Sequence, residues 1–179
     1  MDRRFFLKSA GLAAALILCR EESAWSAYSR KTPSKELALY NAHTGEDLDV
    51  CYFSKGQYRT SALRHINYIL RDHRTDEIKP IDRNLLDILS AIRKKLHLKE
   101  PFHVISGYRS PSTNAMLRRK SSRVAKNSLH CEAKAVDITI PGVPLRTLRQ
   151  VAMSLQRGGV GYYPRSGFIH VDTGPVRTW

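Results

Sequence analysis

Apolar residues recur at helical spacing in two stretches of the first half of the chain. In residues 61–71 they are Leu63, Ile66, Ile69 and Leu70. In residues 83–96 they are Leu85, Leu86, Ile88, Leu89, Ile92 and Leu96. Because this spacing places the apolar side chains on one side of a helix, both stretches are predicted to be amphipathic helices that pack on a core. Asp82, after the break at Pro80, is the predicted N-cap of the second helix.

Shorter apolar runs bounded by turn residues predict strands. They lie at residues 37–40, 48–53, 102–106, 135–140 and 168–172. The first two runs flank turn residues at 43–46, and so they should form a hairpin.

Helical segments are predicted among the later strands. A short helix with Ser112 or Thr113 as its N-cap should follow the strand at 102–106. Residues 118–126 are predicted to be a basic loop, and residues 145–157 an amphipathic helix that ends at a glycine pair.

The order of these elements predicts the fold class. Helices come early, strands come late, and strands and helices do not alternate regularly. This order predicts a single α+β domain with a mostly antiparallel sheet and the N-terminal helices packed on one side of it. The sheet should form the floor of any functional site.

The N-terminus has the pattern of an export signal. Arg3 and Arg4 precede an apolar run at 11–18, and small residues surround a cleavage point near Ala27. The run is too short to cross a bilayer as a stable helix, so no integral membrane span is expected in the mature form. The arginine pair makes the segment similar to a twin-arginine signal, the alternative being a basic stretch followed by a buried helix.

This organisation predicts three segments along the chain. They are a signal peptide at 1–27, a flexible lead-in at 28–35 and one folded domain at 36–179. Without the leader the cysteines are Cys51 and Cys131, which an oxidising compartment would allow to pair, although the sequence does not decide whether they do.

The formal net charge of +14 indicates a polyanionic partner. In the envelope such a partner is murein, teichoic acid or lipopolysaccharide, and in the cytoplasm it is nucleic acid. The predicted leader favours the envelope. A nucleic-acid binder is the weakest alternative, since no basic motif with interleaved aromatic residues is present in the sequence.

His130, Asp137 and His170 are the candidate metal ligands. Two imidazoles and one carboxylate are a donor set that holds a catalytic zinc ion and leaves a coordination position open for water. From residue types and spacing alone, the alternative stays open that these are polar residues at strand edges. The other five histidines of the sequence are explained by helix surfaces, turns and strand ends.

The residues around these positions carry a family resemblance. Ser-x-His-x-x-Ala-x-Ala-x-Asp at 128–137 and Phe-Ile-His-Val-Asp at 168–172 resemble the zinc D-Ala-D-Ala carboxypeptidase superfamily. Further matches at 105–110 and 158–166 are similar to its murein endopeptidase K branch, and the resemblance spans roughly residues 37–179.

The resemblance implies a hedgehog/D-Ala-D-Ala peptidase-like fold with the zinc site on the sheet. It implies one zinc ion per chain, bound by His130, Asp137 and His170, and it places Arg109 beside the scissile bond. A fixed guanidinium there could donate to the carbonyl oxygen as that oxygen becomes negatively charged. The alternative for Arg109 is a salt bridge at the end of a turn.

Two positions depart from the family pattern. Ala133 replaces the usual glycine, which should add a methyl group near the site and narrow it. Gly167 stands where many relatives have the carboxylate that acts as general base. Asp172 should share a strand face with His170, so we expect it to act as the base or as a partner that orients this ligand, with Glu132 as a weaker candidate.

Together these features predict a periplasmic, monomeric zinc metallopeptidase. Its expected substrate is the cross-linked stem peptides of peptidoglycan, and its expected reaction is hydrolysis by attack of zinc-bound water. Two alternatives stay open: a murein D,D- or L,D-carboxypeptidase, and a non-catalytic, zinc-stabilised module that binds the cell wall. The resemblance covers cross-links of both types, and the sequence does not show which type is preferred.

Overall fold

A computed structural model describes residues 33–122 and 124–179 of the chain. The predicted signal peptide at 1–27 and the first five residues of the predicted lead-in lie outside the described residues. Within the described part, no helix is long and apolar enough to cross a membrane.

Eight strands form one sheet. They are β1 (Lys35–Asn41), β2 (Asp47–Ser54), β3 (Gln57–Tyr58), β4 (Phe102–Ser106), β5 (Ala135–Thr139), β6 (Gly159–Tyr163), β7 (Phe168–Asp172) and β8 (Arg177–Thr178). The spatial order is β3-β2-β1-β4-β5-β7-β6-β8. Only the β1/β4 and β6/β8 pairs are parallel, which confirms the prediction of a mostly antiparallel sheet in an α+β domain.

In the part of the chain that the structure describes, four α-helices accompany the sheet. They are α1 (Thr60–Ile69), α2 (Arg83–Lys95), α3 (Pro111–Lys120) and α4 (Leu145–Ser154), and a 3-10 turn lies at Leu129–Glu132. The predicted cap of α2 is confirmed, because the Asp82 side chain accepts a hydrogen bond from the backbone N–H of Asn84.

The predicted start of α3 was wrong. Ser110, and neither Ser112 nor Thr113, is the N-cap: its hydroxyl accepts a hydrogen bond from the backbone N–H of Thr113. Pro111 occupies the first helical turn, where its fixed φ suits the helix and its missing N–H costs nothing. The helix then continues to Lys120, so the first part of the predicted basic loop at 118–126 is helical.

The predicted end of α4 was also wrong. The helix stops at Ser154, because Gln156 adopts a left-handed conformation with φ 52° and turns the chain away. The glycine-rich residues that follow form β6, a strand that the hydrophobic pattern did not predict. The short strands β3 and β8 were missed as well.

The core lies between one face of the sheet and helices α1, α2 and α4. Helices α1 and α2 pack on the β1 and β2 side, α4 packs on β6 and β7, and α2 also contacts α4. From β5 and β7 the residues in this core are Val136, Ile138, Ile169 and Val171. Side chains alternate along a strand, and so Asp137, His170 and Asp172 lie on the opposite face.

Candidate metal centre

Two adjacent strands and a short turn bring the predicted ligands together. Asp137 on β5 and His170 on β7 are direct partners in the antiparallel register, so their side chains leave the sheet side by side. His130 lies on the 3-10 turn that leads into β5. In the described residues this is the one group of three such side chains whose ligand atoms lie within 4.8 Å of one another.

The distances within this group suit a tetrahedral ion. His170 Nδ1 lies 2.9 Å from Asp137 Oδ1 and 3.1 Å from His130 Nε2. His130 Nε2 lies 3.3 Å from the same carboxylate oxygen. Ligand atoms about 2.0–2.1 Å from a tetrahedral zinc ion are separated by about 3.3 Å, so the three atoms form one face of such a tetrahedron. The residues therefore fit a zinc ion.

The remaining ring nitrogens have partners that fix the tautomers. His130 Nδ1 lies 2.8 Å from the carbonyl oxygen of Gly107, which can only accept, so the proton is on Nδ1. His170 Nε2 lies 3.0 Å from Asp172 Oδ2 and donates to it. Each imidazole thus turns its other nitrogen towards Asp137, where a metal ion can take the place of a proton.

The electrostatics of the site favour a bound cation. Burial alone would raise the pKa of Asp137, but the charges and hydrogen bonds of His130 and His170 outweigh burial and hold the pKa well below its ordinary value. Burial alone would lower the pKa of His170, but hydrogen bonds to Asp137 and Asp172 raise it. A metal ion that displaces the proton from the His170 ring is attracted by the same two carboxylates.

Asp172 is completely buried and accepts five hydrogen bonds. Their donors are His170 Nε2, the backbone N–H groups of Gly159 and Gly174, and two nitrogens of Arg177. Burial alone would raise the pKa of Asp172, but these hydrogen bonds hold it below its ordinary value. The carboxylate is therefore ionised and fully engaged.

Gly107 lies against the backbone of Leu70, and this close approach positions the carbonyl oxygen that accepts the hydrogen bond from His130. A Cβ at this position would collide with the backbone of Leu70. The same contact is bridged by a hydrogen bond of 2.8 Å from the Tyr108 N–H to the Leu70 carbonyl. The segment that holds His130 is thus anchored directly against the end of α1.

The backbone conformation of Ala133 explains why glycine suits this position in the family. It has φ 56° and ψ 31°, the left-handed region that glycine adopts without strain. Its methyl group is buried in the hydrophobic core, so the expectation that it narrows the site was wrong.

Cys131, on the 3-10 turn, and Cys51 are both free thiols.

Arg109 is joined to the site by its backbone and lies beside it. Its N–H donates to the carbonyl of His130 over 3.1 Å. Its guanidinium makes long hydrogen bonds of 3.3 Å to Asn114 Oδ1 and 3.4 Å to Ser106 Oγ. Within residues 33–122 and 124–179, its buried Nε has no hydrogen-bond partner.

An open pocket of about 460 Å³ lies over the three candidate ligands. Its lining combines polar and apolar residues of the segment after α3 with three aromatic side chains. The lining residues include Arg109, Asn127, Ser128, Tyr163, Phe168, Arg177 and Trp179. Asp137 is the only acidic side chain among the described lining residues.

Arg177 and Trp179 are site residues that the sequence reasoning missed. Both line the pocket, and Arg177 pairs with Asp172. They lie in the last three residues of the chain, beyond any periodic pattern, so only the pairing of β8 with β6 reveals their place. The family resemblance, which spans roughly residues 37–179, was the one available signal.

Comparison with known proteins agrees with this geometry. A family model described as peptidoglycan L,D-endopeptidase MepK matches residues 29–179. Peptidoglycan L,D-endopeptidase MepK of Escherichia coli (strain K12) is 40% identical over 178 residues, which cover 99% of this chain and 97% of the relative. The probable peptidoglycan L,D-endopeptidase MepK of Haemophilus influenzae is 42% identical over 179 residues, 99% of this chain and 95% of the relative.

These matches confirm the resemblance found in the sequence. They extend over nearly the whole chain and nearly the whole of each relative, so they include every strand and turn that carries the candidate site. The chain belongs to the peptidoglycan L,D-endopeptidase MepK family of metallopeptidases.

Proposed function

We propose that this chain is a zinc-dependent endopeptidase that hydrolyses the peptide cross-links of peptidoglycan, with L,D-cross-links as its preferred substrate. The observation that carries the proposal is the convergence of His130 Nε2, Asp137 Oδ1 and His170 Nδ1 under an open pocket. The preference for L,D-cross-links rests on the names of the relatives.

His130, Asp137 and His170 would hold the zinc ion. Bound there, zinc would polarise the carbonyl of the scissile amide and lower the pKa of a water molecule towards neutrality. The protein's own contribution is to fix both imidazole tautomers through Gly107 and Asp172. It also keeps the ligating carboxylate ionised at neutral pH.

Arg109 is the residue proposed to stabilise charge on the substrate. Its guanidinium lines the pocket, and its hydrogen bonds within the protein are long, so its donors can turn to a carbonyl oxygen that becomes negative. One such donor is worth about 3 kcal/mol in a water-poor site. The backbone link to His130 keeps the guanidinium in register with the metal ligands.

Of the two roles considered for Asp172, the contacts support orientation of His170. A general base needs an oxygen that can reach the attacking water, and both oxygens of Asp172 are engaged with donors in a fully buried position. A carboxylate that holds the outer nitrogen of a metal-binding imidazole is a common arrangement.

The basic character of the domain supports an anionic substrate. The sequence carries a formal net charge of +14, and the described cations that line the pocket are Arg109 and Arg177. Stem peptides carry free carboxylates, so their approach is favoured by this field.

We also propose that residues 1–27 direct export to the periplasm by the twin-arginine route. The relatives are named for a substrate that lies outside the cytoplasmic membrane. Replacing both Arg3 and Arg4 by lysine should leave the precursor in the cytoplasm. Processed protein at wild-type levels in the periplasmic fraction of that variant would contradict the proposed route.

The test is a chromatographic analysis of peptidoglycan digested by the purified protein, with and without a chelator. The proposal expects dimeric muropeptides joined by L,D-cross-links to disappear, and neither His170→Ala nor the chelated enzyme should remove them. The matched control is Arg64→Gln, an exposed position on α1, which should act like the wild type. Monomers shortened by one residue would indicate a carboxypeptidase, and bound zinc without turnover would indicate a binding module.

A further inference from the structure

The last residues of the chain are fixed beside the candidate metal centre. Strand β8 pairs in parallel with β6, with Arg177 opposite Gly159. Beyond β8, the Trp179 carbonyl accepts a hydrogen bond of 2.9 Å from the N–H of Tyr162. The Trp179 N–H donates to the carbonyl of Val160 over 3.3 Å. The C-terminal tail, residues 176–179, is therefore held by the strand next to the one that carries His170.

The indole of Trp179 packs on the ring of His170. The two ring centroids are 5.3 Å apart, with the planes inclined by 49°. The indole N–H donates to the hydroxyl oxygen of Tyr163 over 2.8 Å, which fixes the orientation of the indole. A Cβ at Gly161 would lie 2.7 Å from the indole, so the absence of a side chain there makes the room that Trp179 occupies.

Arg177 reaches the same imidazole through a carboxylate. Its Nη2 lies 2.7 Å from Asp172 Oδ2, the oxygen that accepts from His170 Nε2, and its Nη1 lies 3.1 Å from Oδ1. The guanidinium also stands 4.8 Å from the indole centroid of Trp179. A side chain at Gly159 would displace this pair, because its Cβ would meet the guanidinium and the carboxylate together.

We propose that Arg177 and Trp179 are positioning residues for His170, so that the C-terminal tail is part of the metal centre. Arg177 fixes the carboxylate that holds Nε2, and Trp179 limits the rotation of the ring on its other side. His170 then presents Nδ1 to the site in one orientation. The inference rests on the proposed function, in which His130, Asp137 and His170 bind zinc.

The side chains of Arg177 and Trp179 are partly exposed, so their proposed role at His170 can be distinguished from a contribution to the hydrophobic core. The Arg177 side chain is 42% exposed and Trp179 is 46% exposed, so neither fills the core. Loss of a partner that orients a ligating histidine typically weakens metal binding by about 10–100-fold. Arg177→Lys keeps the charge but loses the two-point geometry, so its effect should lie between those of the wild type and Arg177→Gln.

The test is the zinc dissociation constant of the full chain, measured by competition with a chromophoric chelator at fixed pH. We expect Arg177→Gln and Trp179→Ala to weaken zinc binding about 10–100-fold. The conservative variants Arg177→Lys and Trp179→Phe should fold and show smaller losses. The control is Arg64→Gln, at an exposed position on α1, which should retain the wild-type constant.

Two results separate the tail from the metal centre itself. If His170→Ala loses zinc while the Arg177 and Trp179 variants bind like the wild type, the positioning role is wrong and the metal centre stands. If His170→Ala binds zinc with the wild-type constant, the proposed metal centre is wrong, and the tail has no such role to perform.

Fluorescence gives a second readout that a structural role alone would not move. The sequence contains two tryptophans, Trp25 and Trp179, so Trp25→Phe leaves the C-terminal indole as the only tryptophan. Zinc should change its emission with the same midpoint as the chelator competition, because the indole contacts the His170 ring. An emission spectrum unaltered by saturating zinc would count against the contact.

Discussion

Replacing the buried carboxylate of Asp172 by an amide should damage both stability and metal binding. In Asp172→Asn, one oxygen becomes an NH2 group that cannot accept a hydrogen bond. If that group takes the Oδ1 position, the donors at Gly159, Gly174 and Arg177 lose their acceptor. If it takes the Oδ2 position, His170 Nε2 and Arg177 Nη2 lose theirs.

The second orientation loses fewer bonds and sets the expected magnitude. Two hydrogen bonds that involve charged groups are worth about 1.5–3 kcal/mol each, and water can replace part of what the half-exposed Arg177 side chain loses. We therefore expect the free energy of unfolding of the metal-free protein to fall by about 3–5 kcal/mol. An NH2 group facing Nε2 also favours the His170 tautomer with its proton on Nδ1, which removes the lone pair needed for zinc.

Urea denaturation and a zinc titration measure the two effects separately. The matched control is Asp49→Asn, at an exposed position on β2, which should leave both quantities unchanged. The reasoning is refuted if Asp172→Asn unfolds within about 0.5 kcal/mol of the wild type, the range of ordinary surface substitutions, and binds zinc equally well.

Three further perturbations test separate parts of the structure. Ala133→Val should lower the free energy of unfolding by about 2 kcal/mol or more in urea denaturation, because a β-branched residue is strained at φ 56°, whereas Ala133→Gly should stay within about 1 kcal/mol of the wild type. Gly107→Ala should weaken zinc binding and cost about 2 kcal/mol, since its Cβ would push Leu70 away and move the carbonyl that holds His130; an unchanged melting curve would contradict that packing. Burial, then the charge of the stacked His43, lowers the pKa of His73 from 6.5 to about 4, so the folded state binds its proton less readily than the unfolded chain and stability should be lost as the pH falls from 6.5 to 4. In pH-dependent urea denaturation, His73→Gln should lose less stability over that interval, and an identical slope would contradict the shift.

Alternation of side chains explains why much of the site could be predicted. In β7, apolar Ile169 and Val171 enter the core, so the sequence alone places His170 and Asp172 together on the other face. The contact of 3.0 Å between their side chains confirms that step. The family motif supplied His130 and Asp137, whose closeness in space no local pattern shows.

Long-range pairing explains what could not be predicted. The glycine pair at 158–159 was predicted only to end the preceding helix, yet Gly159 and Gly161 of β6 leave room for Arg177 and Trp179. This role of the glycines depends on β8 and the residues after it, which pair with β6 but follow β7 in the chain. Likewise, the left-handed backbone of Ala133 could not be predicted, because alanine rarely adopts that conformation.

Zinc-edge anomalous diffraction from crystals of the zinc-loaded protein tests the central claim most directly. The account predicts one peak, with His130 Nε2, His170 Nδ1 and Asp137 Oδ1 as its protein ligands at about 2.0–2.2 Å and a fourth position open to the pocket. A peak bound through His130 Nδ1 or His170 Nε2, or a peak outside this group, would contradict the assignment of the metal centre.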